Sequence, residues 1–554
     1  MVESFVEQPQ DTGQAEQVEQ TEQVAEPQEF LEAIERLLTL VRRYMNTADV
    51  NKVIEALHLV QKTCRGVPAM NGRRIPPLEH ALAVSTILAE IMHTDAIGVT
   101  AGLVFEAVDA GRLELVEVEQ VLGTVTARVV GSMERLNILE RKKQSVAGSM
   151  NAATKNGDDR DDIATVDSKK RRIREAMRKQ QAETVRKMFI GMADDPRVVL
   201  LKLAYRLHAM RVMCKSLYYD DHQERLAMAL ETREIYAPLA GRLGMSRIEG
   251  ELEDLAFQVL EPDMYAWARE EVESESKQWR SYVESVCAIL REEMKAIGVK
   301  AEVSGRVKHL YSFYKKLVRN VGDVQGQGLE KLKQAVDVNQ IHDLIAFRIL
   351  VDTTQDCYVA LGHVHSLWKP KEGRIKDFIA NPKPNGYSAL HTTVFCKDNQ
   401  LVEIQIRTFD MHETAEYGVA MHWHYKDVGD HASASAKELL SWLRQLTEWQ
   451  RDIHATSASD TDFVEAVKDD IFQEQIFVFT PKGEVKDLPV GSTPLDFAYR
   501  VHSKIGDSCA GARIITNAEG DGERLQTRMV PLDYELRSGD IVDIVTNRTA
   551  HPTR

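Results

Sequence analysis

The chain has 554 residues and only six cysteines, Cys64, Cys214, Cys287, Cys357, Cys396 and Cys509. None stands in Cys-x-x-Cys spacing, which excludes a disulfide scaffold and a cysteine zinc site. A Gly-x-x-x-x-Gly-Lys-Ser/Thr loop and a Gly-x-Gly-x-x-Gly fingerprint are both missing, so phosphate binding of the P-loop or Rossmann kind is excluded by motif. His412-Glu413 opens like a zincin helix, but His-Glu-Thr-Ala-Glu has no second histidine. His422 and His424 stand two apart on a helical stretch, cannot face one metal, and are read as packing or hydrogen-bonding residues. No apolar run of about 18 residues and no signal peptide occurs, so no membrane is expected as a partner and a cytoplasmic location is expected. Lysine and arginine are missing before Arg36, while ten acids occur up to Glu35. Residues 1–28 are thus expected to be a disordered acidic tail, which cannot bury enough apolar surface to order itself.

What is there is ample for three or more globular domains: 43% apolar and 28% charged residues. From Phe30 to about Leu260, apolar residues recur at spacings of three and four, as in LEHALAVSTILAEIM and VVLLKLAYRLHAM, which predicts helix after helix. Between Ala147 and Thr184, Gly, Asn, Asp and basic residues crowd into a stretch read as a long mobile loop followed by a charged helix. Residues 261–300 read as an amphipathic helical connector, and Asp427 to Asp469 as polar helix.

Chemistry concentrates between Ser304 and Lys426. In Leu401 to Thr408, Val402, Ile404 and Ile406 alternate with Glu403, Gln405 and Arg407, which predicts a strand with its polar set on one open face. Ala389 to Cys396 is rich in β-branched residues and Asp398-Asn399 is a turn signal, so the two runs read as a hairpin. The same alternation in Ile341 to Asp352 places Asp343 at the mouth of an otherwise apolar strand. Each acid alone reads as a capping or solvated carboxylate. Their company changes that reading: Arg306, Lys308, Lys315 and Lys316 precede them, and Lys369, Lys371, Arg374, Lys376 and Lys383 lie between them, in a chain of net charge −15. Two strand carboxylates amid this much positive charge suit Mg²⁺ with a polyphosphate. Tyr387, in a Pro-Asn-Gly-Tyr turn, offers a face for a purine or simply packs in the core.

The segments GRVKHLYSFYKK, DLIAFRILVDTTQDCYVALGHVHSLWKP, GRIKDFIANPKPNGYSALHTT, VEIQIRT and MHETAEYGVAMHWHYK resemble the synthetase domain of the long Rel/SpoT family, and the resemblance covers most of residues 30–547. Such enzymes make guanosine penta- and tetraphosphate, (p)ppGpp. The resemblance implies a multidomain α+β chain: an all-helical HD-like domain, a nucleotidyltransferase-like mixed α/β synthetase domain and a small β-grasp TGS domain. The implied reaction moves pyrophosphate from ATP to the 3′-hydroxyl of GTP or GDP and releases AMP. Asp343 and Glu403 would be catalytic and hold Mg²⁺ at the ATP β/γ phosphates, with Glu403 also activating the ribose 3′-oxygen. ATP would be bound by Arg306, Lys308, Ser312, Lys315, Lys316 and Arg348. The acceptor would be bound by Tyr387, Asn385, Lys383, His391, Arg374, Lys376 and Gln405, with Arg374-Ile375-Lys376-Asp377 shaping its pocket.

The helical region resembles the HD hydrolase domain of the family, whose metal is held by a His…His-Asp…Asp set. His80 matches the first histidine, but Phe105-Glu106 stands where His-Asp is expected, Tyr205 where the acid before Arg-Leu-His is expected, and Ala209 where a polar residue follows. A pseudo-hydrolase without hydrolase activity is expected: Glu106 and Asp109 would have to rebuild a site with His80, and metal geometry tolerates little displacement. Residues 475–547 resemble a TGS domain, which implies the ribosome with deacylated tRNA as a partner; no DNA partner is expected. The chain stops at Arg554, where long relatives continue, so truncation after the TGS domain is read here and ribosome-dependent control is placed in question. The expected boundaries are 29–235 for the HD-like domain, 236–300 for the connector, 301–427 for the synthetase, 428–474 for a helical linker and 475–547 for TGS. A reading from another class is a non-catalytic regulator that binds guanine nucleotide or the ribosome; intact Asp343 and Glu403 oppose it.

Overall fold

The computed structural model describes residues 28–64, 76–138, 195–215, 222–307, 309–321, 345–383, 385–418, 475–481, 485–489, 491–517, 525–537 and 539–547. The acidic tail up to residue 27, the expected loop at 147–184, the linker at 428–474, His422, His424, Lys308 and Asp343 lie outside these residues, as do the side chains of Arg306 and Lys316.

The first unit is helical: α1 (Gln28–Val41), α2 (Thr47–Cys64), α3 (Pro77–Glu90), α4 (Ala96–Asp109), α5 (Leu115–Leu122), α6 (Arg197–Lys215), α7 (His222–Glu231), a π-turn (Thr232–Tyr236), α8 (Ala237–Arg242) and α9 (Ser246–Leu260). Local chemistry sets the ends. Pro77 opens α3 where its missing N–H is not needed. Asp95 caps α4 by accepting from the Gly98 N–H and also pairs with Arg197 at 2.8 Å, tying the start of α4 to the start of α6. One apolar core runs from Leu37 to Ala256, so it continues past residue 235 into the stretch expected as connector, because Ile248, Leu252 and Ala256 recur on one face of α9 and point into it. No described helix is long and apolar enough to cross a membrane.

The 35-residue α10 (Pro262–Ala296) leads into a five-stranded sheet. It contains β1 (Ala301–Val307), β2 (Ile345–Val351), β3 (Lys376–Asp377), β4 (Leu390–Phe395) and β5 (Leu401–Thr408), with α11 (Leu310–Val321) and α12 (Thr354–Leu367) between strands and α13 (Phe409–Tyr417) after β5. Strand order is β1-β2-β5-β4-β3; β2 and β5 are parallel and the other pairs antiparallel. The expected hairpin is present, with a tight turn at Lys397–Asn399 in which Asn399 takes φ 59°. Phe347, Ile349, Val351, Val402, Ile404 and Ile406 pack against α10 and α12 on one face of the sheet, as their period of two requires. Arg407 departs from the expected open face. It is only 2% exposed because α13 folds back over it.

The third unit orders its strands β7-β6-β10-β8-β9: β6 (Gln475–Phe479), β7 (Val485–Pro489), β8 (Cys509–Asn517), β9 (Leu525–Val530) and β10 (Ile541–Thr546). Helix α14 (Pro494–Val501), begun by a Thr493/Asp496 capping box, lays Phe497 on this sheet's core.

Helix α9 joins the first two units. Opposite its apolar face, Asp254 accepts from the Tyr311 N–H at 2.8 Å and meets His309 at 3.2 Å, capping α11 from outside, while Glu253 pairs with Lys315 at 2.9 Å. Phe257 stacks on Tyr314 with ring centroids 4.6 Å apart. At the far end Ser246 donates to the Ala415 carbonyl, and the backbone at Leu243-Gly244 lies against Gly418. Gly418 has φ 55°, and a Cβ there would overlap the Leu243 carbonyl oxygen. Gly418→Ala is therefore expected to cost about 1–3 kcal/mol and to lower the first thermal transition; an unchanged melting curve would show that this approach is not tight. Burial, with the nearby Glu253 carboxylate, pushes Glu249 up to about 7. A carboxyl raised in the folded state binds more protons than in the unfolded chain, so its contribution falls as pH rises from about 4.5 to about 7. Glu249→Gln should thus stabilise the protein more at about pH 8 than at about pH 5 in thermal melts, and equal shifts at both would contradict the assignment.

Candidate functional site

The open face of the first sheet is built by register. Ser304 of β1 pairs with Arg348 of β2, Arg348 with Gln405 of β5, Gln405 with His391 of β4, and His391 with Lys376 of β3, so one row of polar side chains crosses all five strands. Glu403 stands one step along, paired with Ala346 on one side and Thr393 on the other. Ala346 is small and buried, which keeps that side of Glu403 clear of bulk.

Glu403 is held in place. Its Oε1 lies 2.9 Å from His391 Nδ1 and accepts from Gln405 Nε2 at 3.3 Å. His391 Nε2 in turn lies 2.7 Å from the Tyr387 hydroxyl. With Nδ1–H donating to the carboxylate and the tyrosine O–H donating to Nε2, neutral His391 satisfies both contacts in a single tautomer. Glu403 and His391 side chains are each 16% exposed, so water still reaches them.

Charge gathers around this group. Lys383 as a residue is exposed, but its ammonium lies 5.1 Å from the Tyr387 ring centre and 5.0 Å from that of Phe378. Loss of hydration there, with repulsion from Lys376, lowers its pKa, against attraction to Glu249 and Glu403. Arg374 and Lys376 are exposed beside the site. Asp377 is a structural acid: it accepts from the Ile379 and Ala380 N–H groups and from the Tyr358 hydroxyl.

Some expected nucleotide ligands have other partners. Asn385 donates to the Gly241 carbonyl at 3.1 Å and accepts from the Tyr387 N–H at 3.2 Å, so it clamps its turn to the helical unit. Arg348 reaches Glu416 at 3.2 Å and His412 at 3.4 Å, and Lys315 reaches Glu253. Ser312 is part-buried on α11. Arg407 and Glu416 were not singled out from the sequence: Arg407 approaches Glu416 at 3.6 Å and lies 5.9 Å from the Tyr387 ring centre. Period two alone places Arg407 in solvent, and only the fold-back of α13 buries it.

In the helical unit, His80 on α3 meets Glu106 on α4 at 3.1 Å, and its ring packs 5.0 Å from Tyr205 and 4.5 Å, edge on, from His208. Phe105 is fully buried and stands edge on to Tyr205 at 5.1 Å. Ala209 adds no donor atom beside them. His208, in the Arg-Leu-His run, belongs to the cluster and was not among the expected residues. Rings occupy the space that donor atoms would need, so this set does not fit the family's metal. Glu403, a partly buried oxygen donor, does fit a hard cation. Among the described residues no three His, Cys, Asp or Glu side chains form a metal cluster.

Three family models match the chain: an HD domain at residues 56–246, the region found in RelA / SpoT proteins at 305–430, and a TGS domain at 476–546. A GTP pyrophosphokinase of Myxococcus xanthus is 38% identical over 95% of this chain and 60% of its own length. The bifunctional (p)ppGpp synthase/hydrolase SpoT of Escherichia coli is 35% identical over 94% of this chain and 64% of its own. The chain thus spans about three fifths of the length of these relatives. The crystal structure of small alarmone synthetase 1 from Bacillus subtilis bound to its product pppGpp is 20% identical, covers 34% of this chain and all of that one, and has a TM-score of 0.22. The HD, RelA/SpoT and TGS regions of the present chain follow one another in this order, and the chain belongs to the Rel/SpoT family.

Proposed function

We propose that the chain transfers pyrophosphate from ATP to the 3′-hydroxyl of GTP or GDP, making (p)ppGpp and AMP. The observation that carries this reading is Glu403, fixed by His391 and Gln405 on an open sheet face beside Tyr387 and a group of lysines. The acceptor guanine stacks on Tyr387, which points its ribose toward Glu403. Glu403 takes the proton of the 3′-hydroxyl, so the oxygen can attack the β-phosphorus of ATP in line while the bond to the α-phosphate breaks and AMP leaves. Lys383, Lys376 and Arg374 offset acceptor phosphate charge, and the basic residues of Arg306 to Lys316 take the ATP phosphates. Glu403 and Asp343 would hold Mg²⁺, which when bound would supply charge neutralisation at the transferred phosphates. Arg348 and Lys315 would exchange their present carboxylate partners for ATP.

In the same proposal the helical unit does not hydrolyse (p)ppGpp, because Phe105 and Tyr205 fill its metal site. Contact of the TGS region with deacylated tRNA on the ribosome rests on the TGS match alone. The reaction would run in the cytoplasm, where its nucleotides are.

Incubation of the purified protein with labelled ATP, GDP and Mg²⁺ should yield AMP and a guanosine bearing a 3′-diphosphate, resolved by chromatography. Glu403→Gln should lower turnover by about 10²- to 10⁴-fold, the size of a lost general base, with circular dichroism unchanged. Near-normal synthesis by this variant would remove Glu403 from the chemistry. With Mn²⁺ and ppGpp the wild type should release no pyrophosphate, and metal-dependent release would overturn the view of the helical unit.

A further inference from the structure

We propose that His391 is a positioning residue through which the Tyr387 hydroxyl sets the orientation of Glu403, so that seating the guanine base aligns the general base. The inference rests on the functional reading above and deepens it. Three side chains from two adjacent strands and one turn form a continuous line: Tyr387 hydroxyl to His391 Nε2 at 2.7 Å, and His391 Nδ1 to Glu403 Oε1 at 2.9 Å. Both bonds are near the optimal length for their donors, and the imidazole is rigid, so moving one end moves the other.

The line is braced along its length. Phe378 stands edge on to His391 at 5.3 Å and to Tyr387 at 6.1 Å, closing off one side of the imidazole. Gln405, the cross-strand neighbour of His391, donates to the same carboxylate oxygen, so that oxygen is contacted by both side chains. At the outer end, Asn385 binds the Tyr387 N–H and the Gly241 carbonyl, which holds the turn that carries the ring. A carboxylate oxygen that receives two bonds is restrained in its rotation. A base in fixed orientation needs no rearrangement when the proton moves, so the effect belongs in turnover and not in acceptor affinity.

A residue that merely contacted the acceptor would behave differently, since its removal would raise KM. Tyr387→Phe separates the two cases because it keeps the stacking ring and deletes only the hydroxyl. Its kcat should fall about 10-fold, with the KM for GDP and GDP binding in the absence of metal, measured by calorimetry, within about 2-fold of wild type. His391→Ala should fall about 10²-fold. Adding Tyr387→Phe to His391→Ala should lower kcat no further, because the hydroxyl acts only through the ring. His391→Asn, whose side-chain amide stands where Nδ1–H does, should recover part of the loss of His391→Ala and guards against a fold defect in the alanine variant. Multiplied losses in the double variant, or a raised KM with unchanged kcat in Tyr387→Phe, would overturn the coupling alone. Absence of any transfer by the wild type would overturn the functional reading and the coupling with it.

Discussion

Helix α9 is the element on which both larger units depend, because one rigid cylinder serves two surfaces. Ile248, Leu252 and Ala256 face the helical core, while Glu253 and Asp254 reach Lys315 and the start of α11 in the sheet-bearing unit. The residues that face the helical core and those that cap α11 and hold Lys315 lie on the same three turns of one helix, which fixes their spacing. The polar contacts alone would not hold the units together, since exposed ion pairs are worth about 0–1 kcal/mol each. The apolar seam around Phe257, Trp267, Ala268 and Phe313 supplies the adhesion, and the acids supply alignment.

The open sheet face shows a second division of labour. Helix α13 shields the end of the face where Arg348 and Arg407 both reach Glu416. One carboxylate between two guanidiniums keeps a nearly buried arginine tolerable, because an unpaired charge at that depth would be costly. The other end, with Glu403, His391 and Lys383, stays accessible to water. The same polar row is thus covered and ion-paired at one end and open at the other, and the helix that follows β5 decides where the change occurs.

Much of this was legible in the sequence. The alternation of Val402, Ile404 and Ile406 placed Glu403 on an open face, and the Asp398-Asn399 turn gave the hairpin, because both depend on local rules of period and φ. The burial of Arg407, the clamp of Asn385 on Gly241 and the line through His391 were not legible, since each depends on which distant segment lands nearby. Asn385 shows the difficulty well. Its type and its place in a Pro-Asn-Gly-Tyr turn fit a ligand contact and a structural turn equally, and only the position of a carbonyl 144 residues earlier separates them. The end of the helical core was misplaced for a related reason: the apolar face of α9 has the same period whether it packs on the helices before it or spans a connector.

The helical unit makes the opposite case, where substitution of residue type was more informative than pattern. A metal site and a packed core impose contrary demands on one pocket. The site needs several donor atoms converging around an open centre, whereas the core needs the centre filled. Phe105, 0% exposed, and Tyr205, set edge to face, meet the second demand, and His80 lies 3.1 Å from Glu106 and packs on two rings. A pocket filled in this way gains apolar burial and ring contacts where the donors would have cost desolvation in the absence of metal. The packing of Phe105 and Tyr205 is therefore that of a firm helical core. A firm core is also what α9 requires if it is to hold the cap of α11, and what α8 requires if its Gly241 carbonyl is to hold the Asn385 turn.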